Sequence, residues 1–424
     1  MLTFMLCFFV VLLVISTPIA IIMLAVTGAT LFFYLGIPLQ ALVQQLFNGM
    51  DNFILLAIPF FILAGNIMAQ GSISKKLVDV MQLCVGRIPG GMAISSVLAC
   101  VFFAAISGSS PATVIAIGSI MIPALIKHGH DENFSIGLLT SAGSLGILIP
   151  PSIPMVLYAL VMNVSVGKMF MAGFMPGALI AGLLIVYSVV LAKKHGWGSV
   201  REYAKGERWA ILKDASWGCA MPVLVLGGIY SGIFTPTEAA AVSVIYALLV
   251  EFFIYKDMDL KKLNTILKDS VLLSSTLLFI IACAMTFIWL LTREQIPQIA
   301  AEFITTHIQN KYVFLLIINI FLLLVGCVMD IVSAIIVISP ILLIALEKFD
   351  IDLIHYGIIM IINIEIGFLT FPFGLNLFVA MGITGKSLTQ VGKAVFPFLI
   401  LLLVGLFLVT YIPEISLWLP NLLG

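Results

Sequence analysis

The sequence predicts an all-α polytopic membrane protein made of two inverted-topology repeats, each pairing a re-entrant helical hairpin with a broken transmembrane helix. Three observations carry this. The chain is 62% hydrophobic and 9% charged, with 30 Phe and a mean hydropathy of +1.23, beyond what the core of a soluble domain needs. Uncharged runs at 1–50, 88–126, 133–167, 169–192, 215–237 and 270–292 are each long enough to cross about 30 Å of hydrocarbon. Two stretches read alike, GILIPPSIPMVLYA (146–159) and GFLTFPFGLNLFVA (367–380), and each sets a proline (Pro151, Pro372) five residues after a glycine inside an apolar segment. Proline lacks the amide donor and clashes with the preceding turn, so both helices should break there.

The elements follow in order. Residues 1–50 should hold a first span and an amphipathic connecting helix at 38–49. The absence of a basic n-region and a small-residue cleavage site marks that span as retained. Residues 51–192 form repeat one, with a second amphipathic helix at 76–86, a hairpin at 88–126, a broken helix at 133–160 and a span at 168–192. Residues 193–268 supply cytoplasmic loops and two spans near 216–233 and 238–255. Residues 269–424 form repeat two, with a span at 271–291, a hairpin at 312–346, a broken helix at 353–380 and a last span at 394–413. The hairpins rest on their tips, SGSSPAT (107–113) and GCVMD (326–330), which are polar or glycine-containing where a chain should turn.

Charge sets the orientation. Lys193, Lys194, Arg201, Lys205, Arg208 and Lys213 crowd one loop and Lys256, Lys261, Lys262 and Lys268 another, so both should face the cytoplasm. Counting spans backward returns Lys127, Lys75, Lys76 and Arg87 to that side. Counting forward puts residues 293–352 in the periplasm and Lys386 and Lys393 back inside. The first hairpin then opens from the cytoplasm and the second from the periplasm. Paired broken helices in inverted repeats are the mark of a secondary transporter with a midplane binding site. Irregular backbone at that depth is tolerable only where protein buries it or water reaches it.

Tips and breaks expose carbonyl oxygens that no helical donor uses, and all-oxygen cages suit a hard cation such as sodium. One sodium site is expected from Ser107, Gly108, Ser110 and Thr113 facing Gly146, Ile149 and Pro150. A second is expected from Gly326, Met329 and Asp330 facing Gly367, Thr370 and Phe371. The opposite ends of broken helices carry free amides and a positive dipole end, which favour an anionic substrate. Its candidate contacts are Ser109, Pro151, Pro372, Asn376 and Arg293. Arg293 also reads as a plain interfacial arginine, and Asn376 and Asn363 as helix–helix hydrogen-bonding groups. Asp330 and Glu365 are carboxylates at membrane depth, where function is the default reading, though Glu365 reads equally as a structural acid. Asp51 and Glu238 read as helix caps.

Other classes drop out. A net charge of zero says nothing about nucleic acid, but no basic stripe exists, so no nucleic-acid partner is expected. AMGITGKS (380–387) imitates a phosphate loop but follows a membrane helix instead of a strand, so no nucleotide is expected. Neither GxSxG nor HExxH occurs, which argues against an enzyme. Six scattered cysteines (7, 84, 100, 219, 283, 327) read as small buried hydrophobes, and His128 and His130 as solvated loop residues.

At the level of motifs, LLAIPFFILAGNIM (55–68), SGSSPATVIAIGSIMIPAL (107–125), GILIPPSIPMVLY (146–158), GIFTPTEAAAV (232–242) and PFGLNLFVA (372–380) closely resemble the large membrane subunit of TRAP (tripartite ATP-independent periplasmic) transporters. Phe371 departs from that pattern, which often has a second proline there. The resemblance implies a multi-pass protein of the bacterial inner membrane working as an elevator-type carrier driven by a sodium gradient. It implies two partners, a small four-helix membrane subunit encoded separately and a periplasmic substrate-binding protein. The implied substrate is an organic acid such as a C4-dicarboxylate or a sialic acid, leaning to the sialic-acid branch. Two rival readings are a stand-alone dicarboxylate–sodium symporter and a non-transporting membrane scaffold or receptor.

Overall fold

The structure, a computed structural model, describes residues 1–85, 88, 90–197, 205–371 and 374–423. Arg87, Arg201 and Pro372 lie outside the described residues. Among those described, all regular structure is helical, and eight helices are long and apolar enough to cross a bilayer.

One motif of five elements occurs twice. In the first unit, the span Phe53–Gln70 leads to a short helix, Ile73–Val85, and a hairpin of Gly91–Ser107 and Ser110–Lys127. A broken helix follows, Glu132–Leu148 and Ile153–Val161, bent by 41°, and then the span Val166–His195. In the second unit the same order runs Leu260–Arg293, Ile296–His307, the hairpin Lys311–Gly326 and Ile331–Lys348, the broken Leu353–Gly367 and Leu375–Thr384, and Leu388–Tyr411. Gly206–Tyr230 and Pro236–Ile254 stand between the units. A hairpin returns to its own side, so three crossings in unit one and two between the units make an odd number. The second unit is therefore inverted.

Local chemistry explains the interruptions. Gly108 turns the first tip at φ 60, a left-handed conformation glycine adopts without strain, and Pro111 then starts the return limb. A Cβ on Gly65, inside Phe53–Gln70 and five residues before its end, would lie 3.1 Å from the Ser107 Cα, which puts that tip within the length of the span. At the first break, Pro150 and Pro151 cannot donate to the carbonyls of Gly146 and Ile147. The Ser152 hydroxyl takes over one of them, donating to Ile147 O at 2.6 Å. At the second break, the Asn376 amide donates to Phe368 O (3.1 Å) and the Thr370 hydroxyl to Ile366 O (2.7 Å). The units interlock: Leu388–Tyr411 packs on Glu132–Ala142, and Val166–His195 on the C-terminal helix Glu414–Leu423. Asn363 donates to Asn319 Oδ1 and Asn319 to Thr410, a ladder that joins the second hairpin to the last span.

Several expectations need correction. The apolar part of residues 1–50 is not one continuous helix: Leu2–Val14 and Ile19–Thr30 are separate, parted where Ser16 takes a left-handed φ and Pro18 caps the next helix. The basic segments are partly helical, since Lys205–Tyr230 and Leu260–Arg293 begin inside them. Asn52, not Asp51, caps the helix that follows, accepting from the Ile54 amide; Glu238 does close a capping box with Thr235. His130 is buried beside Phe134 and Trp197, and that burial holds its imidazole below its ordinary pKa. Cys100 and Cys283 are buried, but Cys7 and Cys84 are exposed.

Candidate functional site between the two hairpin tips

Both tips and both breaks line one cavity of about 320 Å³. Hairpin one contributes Ser107 to Ala112, hairpin two contributes Asp330 to Val332, and the breaks contribute Ile147, Ile153, Phe368 and Leu375. The far wall is Asn66 of the first span with Leu273 and Leu277 of the long helix opposite. Among the described residues no lysine or arginine lines it, and Asp330 is the one charged residue that does. An anion held here would therefore depend on hydroxyls, helix N-termini and any cation bound beside it.

At the first tip, oxygens converge. The Thr113 hydroxyl donates to Ser109 O at 2.8 Å and lies 3.2 Å from Ser107 Oγ, which is 3.4 Å from the same carbonyl. Gly146 presses against this group: a Cβ there would lie 2.5 Å from Ser109 O and 2.6 Å from Thr113 Oγ1. Gly108 packs on the first break, its carbonyl accepting from the Ile153 amide and its Cα facing Pro151 O. Ser107, Gly108, Ser109, Thr113 and Gly146 are thus brought together. The Ile149 side chain turns away to Gly177, leaving its carbonyl and that of Pro150 at the bend. The Ser110 hydroxyl also points elsewhere, donating to Glu365 Oε1 (2.6 Å) while Asn376 Nδ2 donates to it (2.6 Å).

At the second tip the backbones themselves touch. A Cβ on Gly367 would lie 2.3 Å from the Gly326 carbonyl carbon, so neither position tolerates a side chain without movement. Asp330 caps its own helix, accepting from the Ser333 amide at 3.0 Å and from the Ser333 hydroxyl. With Met329 it also lines a second cavity, of about 600 Å³, whose opposite wall is the Ser16–Pro18 interruption. Phe371 is 66% exposed. Arg293 sits at a helix end over the Trp289 ring and beside Glu294, and it does not line the cavity between the tips.

Residues 6–415 match the family model described as the DctM component of the tripartite ATP-independent periplasmic transporter. The chain belongs to this family. It is 45% identical over 402 residues to the C4-dicarboxylate TRAP transporter large permease protein DctM of Pseudomonas aeruginosa, covering 95% of this chain and 94% of that protein. Its counterpart of the same name in Rhodobacter capsulatus is 42% identical over 408 residues, 93% of each. The sialic acid TRAP transporter large permease protein SiaM of Vibrio cholerae is 35% identical, with 89% of each covered. The crystal structure of the YdaH transporter of Alcanivorax borkumensis superposes on all of this chain and 99% of its own at a TM-score of 0.68 and 16% identity, a likeness of fold. This TRAP large permease is accordingly a multi-pass inner-membrane protein, and its relatives are named permeases rather than enzymes.

Two features of the permease site were not singled out from its sequence. Asn66 faces the cavity and donates to Ser270 Oγ at 2.9 Å; its signal was a lone amide inside the apolar run LAGNIM. The Ser16–Pro18 interruption beside Asp330 was signalled only by one proline in an uncharged run.

Proposed function

We propose that this permease imports an organic dianion of the C4-dicarboxylate class, coupled to sodium and received from a periplasmic binding protein, with a small membrane subunit completing the system. The observation that supports this reading most is the cavity between tips and breaks, bordered by oxygen clusters and, among the described residues, lacking a cationic side chain. A dianion there needs positive charge supplied from outside the side-chain set. Sodium seated at Ser107, Ser109 O, Thr113 and the Gly146 bend, with a second ion at the Gly326–Gly367 contact near Met329, Asp330, Thr370 and Phe371, would supply it. Bound substrate and ions would balance each other in a low-dielectric interior, which ties the two together. The inverted units support an elevator cycle in which hairpins and broken helices move as one body against Gly206–Tyr230 and Pro236–Ile254. Relatives named for C4-dicarboxylates share 40–45% identity with this chain and the sialic-acid relative 35%, which favours the smaller acid.

The test is uptake of labelled succinate into proteoliposomes. We expect uptake only with the small subunit, the loaded binding protein and an inward sodium gradient all present. Uptake by this chain alone would favour the stand-alone symporter, and equal uptake under a potassium gradient would remove sodium coupling.

A further inference from the structure

The cavity of about 600 Å³ meets the transport cavity at Asp330, and the proposed cycle gives it no role. Its opposite wall is the tip of a helix pair. The Phe4 ring lies against Tyr34 (centroids 4.9 Å), so Leu2–Val14 and the helix from Ile19 run antiparallel and turn at Ser16–Pro18. Their far ends point toward the outer end of Leu260–Arg293. Phe9 stacks near Phe287, and a Cβ on Gly49, just beyond the pair, would lie 2.6 Å from the Met285 Cβ. The turn itself faces Thr276, Phe279 and Ile280. Thr276 lies 8 residues past Lys268 and 17 before Arg293, about 12 Å and about 26 Å along that helix. The cavity is therefore nearer the basic end, which its charge assigns to the cytoplasm.

We propose that this cavity is a cation-selective aqueous vestibule, through which the coupling ion passes, still hydrated, between Asp330 and the cytoplasm. The turn requires water. Among the described residues, the carbonyls of Val14, Ile15, Ser16 and Thr17 and the amides of Ile19 and Ala20 have no hydrogen-bond partner. Ser16 and Pro18 are exposed, so protein does not bury this backbone, and irregular backbone at such depth then needs water beside it. Charge makes the chamber selective. Asp330 is the one charged residue among the described residues that line it, and Ser16, Thr17 and Thr276 add hydroxyl oxygens. Asp330 accepts from the Ser333 amide and hydroxyl, which leaves its carboxylate with acceptor capacity for an ion or its waters. One carboxylate in a chamber with mostly apolar walls gathers cations and repels a dianion, so the substrate does not share this route. The space is many times the size of one water and forms no close cage, so the ion keeps its hydration shell here. It exchanges that shell for protein oxygens at the Gly326–Gly367 contact. That the ion is sodium rests on the function proposed above; the preference of the chamber for positive charge does not.

The experiment places Thr17→Cys in the full chain, with the native cysteines replaced, in inside-out membrane vesicles free of substrate and of any sodium gradient. Its thiol is modified by a trimethylammonium or a sulfonate methanethiosulfonate, each rate divided by that reagent's rate with a free thiol. The cationic reagent should react about tenfold faster, and Asp330→Asn should bring the two rates together. Equal rates with Asp330 in place, a preference that survives Asp330→Asn, or no reaction with either charged reagent overturns the vestibule. Passage of the ion is read by sodium-driven uptake into proteoliposomes. Thr17→Lys and Thr17→Glu differ little in size, and the lysine variant should be about tenfold slower; equal uptake overturns the passage. A wild type without sodium-driven uptake would remove the sodium reading instead, and the modification rates would still decide the vestibule.

Discussion

Thr113 carries the most specific prediction at the scale of single residues. Its hydroxyl is the link between Ser107 Oγ and Ser109 O, and it faces a glycine that leaves no room for a side chain. Thr113→Val keeps the shape and removes one oxygen. If sodium sits at the proposed site, losing this ligand is worth about 1.4 kcal/mol, so sodium should stabilise the variant with an affinity about tenfold weaker. Thermal unfolding against sodium concentration reads this directly, because ligand bound to the folded state raises its stability. An unchanged sodium dependence would remove Thr113 from the site. The sequence made this cluster legible because Pro, Gly and Ser signal a turn locally, and the tip reading needed nothing beyond SGSSPAT. It did not reveal that the Ser110 hydroxyl turns to Glu365, since the partners lie 255 positions apart and meet only through the packing of two units.

At the scale of elements, the short helix Ile73–Val85 touches both the first hairpin limb and Lys205–Tyr230, so its anchoring matters to any relative movement of the two. Its start is held by a residue from elsewhere. Glu251, buried at the end of Pro236–Ile254, accepts the Ser72 amide on Oε2 and the Ile73 amide on Oε1, each at 3.1 Å. These are amides that a helix start leaves unpaired, and a carboxylate there also meets the positive end of the dipole. Gly71 makes room, for a Cβ there would lie 2.1 Å from Glu251 Oε1. Glu251→Ala should cost about 2 kcal/mol, seen as roughly thirtyfold faster amide exchange through Ile73–Val85 with the hairpin tip unaffected. Exchange rates equal to wild type would show that the clasp does not hold the helix. Thr235 with Glu238 was readable as a cap because its partners are three residues apart. Glu251 was not, because its partners lie 178 and 179 positions back. The split of residues 1–50 escaped for a related reason: in an uncharged run, hydropathy is blind to where one helix stops and the next begins.

For the whole molecule, the decisive property is the opposite orientation of the two units, and contacts between distant residues agree with the charge argument. Lys76 pairs with Asp214, Glu132 with Lys386, and Glu251 with Ser72, which gathers the ends assigned to the cytoplasm on one surface. Tyr158 donates to Leu353 O, and the Lys311 ammonium to Asp350 O, which gathers the ends assigned to the periplasm on the other. The two hairpins end on different surfaces: Lys127 closes the first, and Lys348 the second. Both lysines are exposed, so single cysteines can report on them in a background where the exposed Cys7 and Cys84 are replaced. On intact cells a membrane-impermeant maleimide should label Lys348→Cys and leave Lys127→Cys unmodified until the inner membrane is opened. If both react from the same compartment, the crossings between Lys127 and Lys348 number even instead of five. The second hairpin then does not return to the side opposite the first, the inverted relation of the two hairpins is lost, and a midplane cavity served alternately from two sides loses its structural basis.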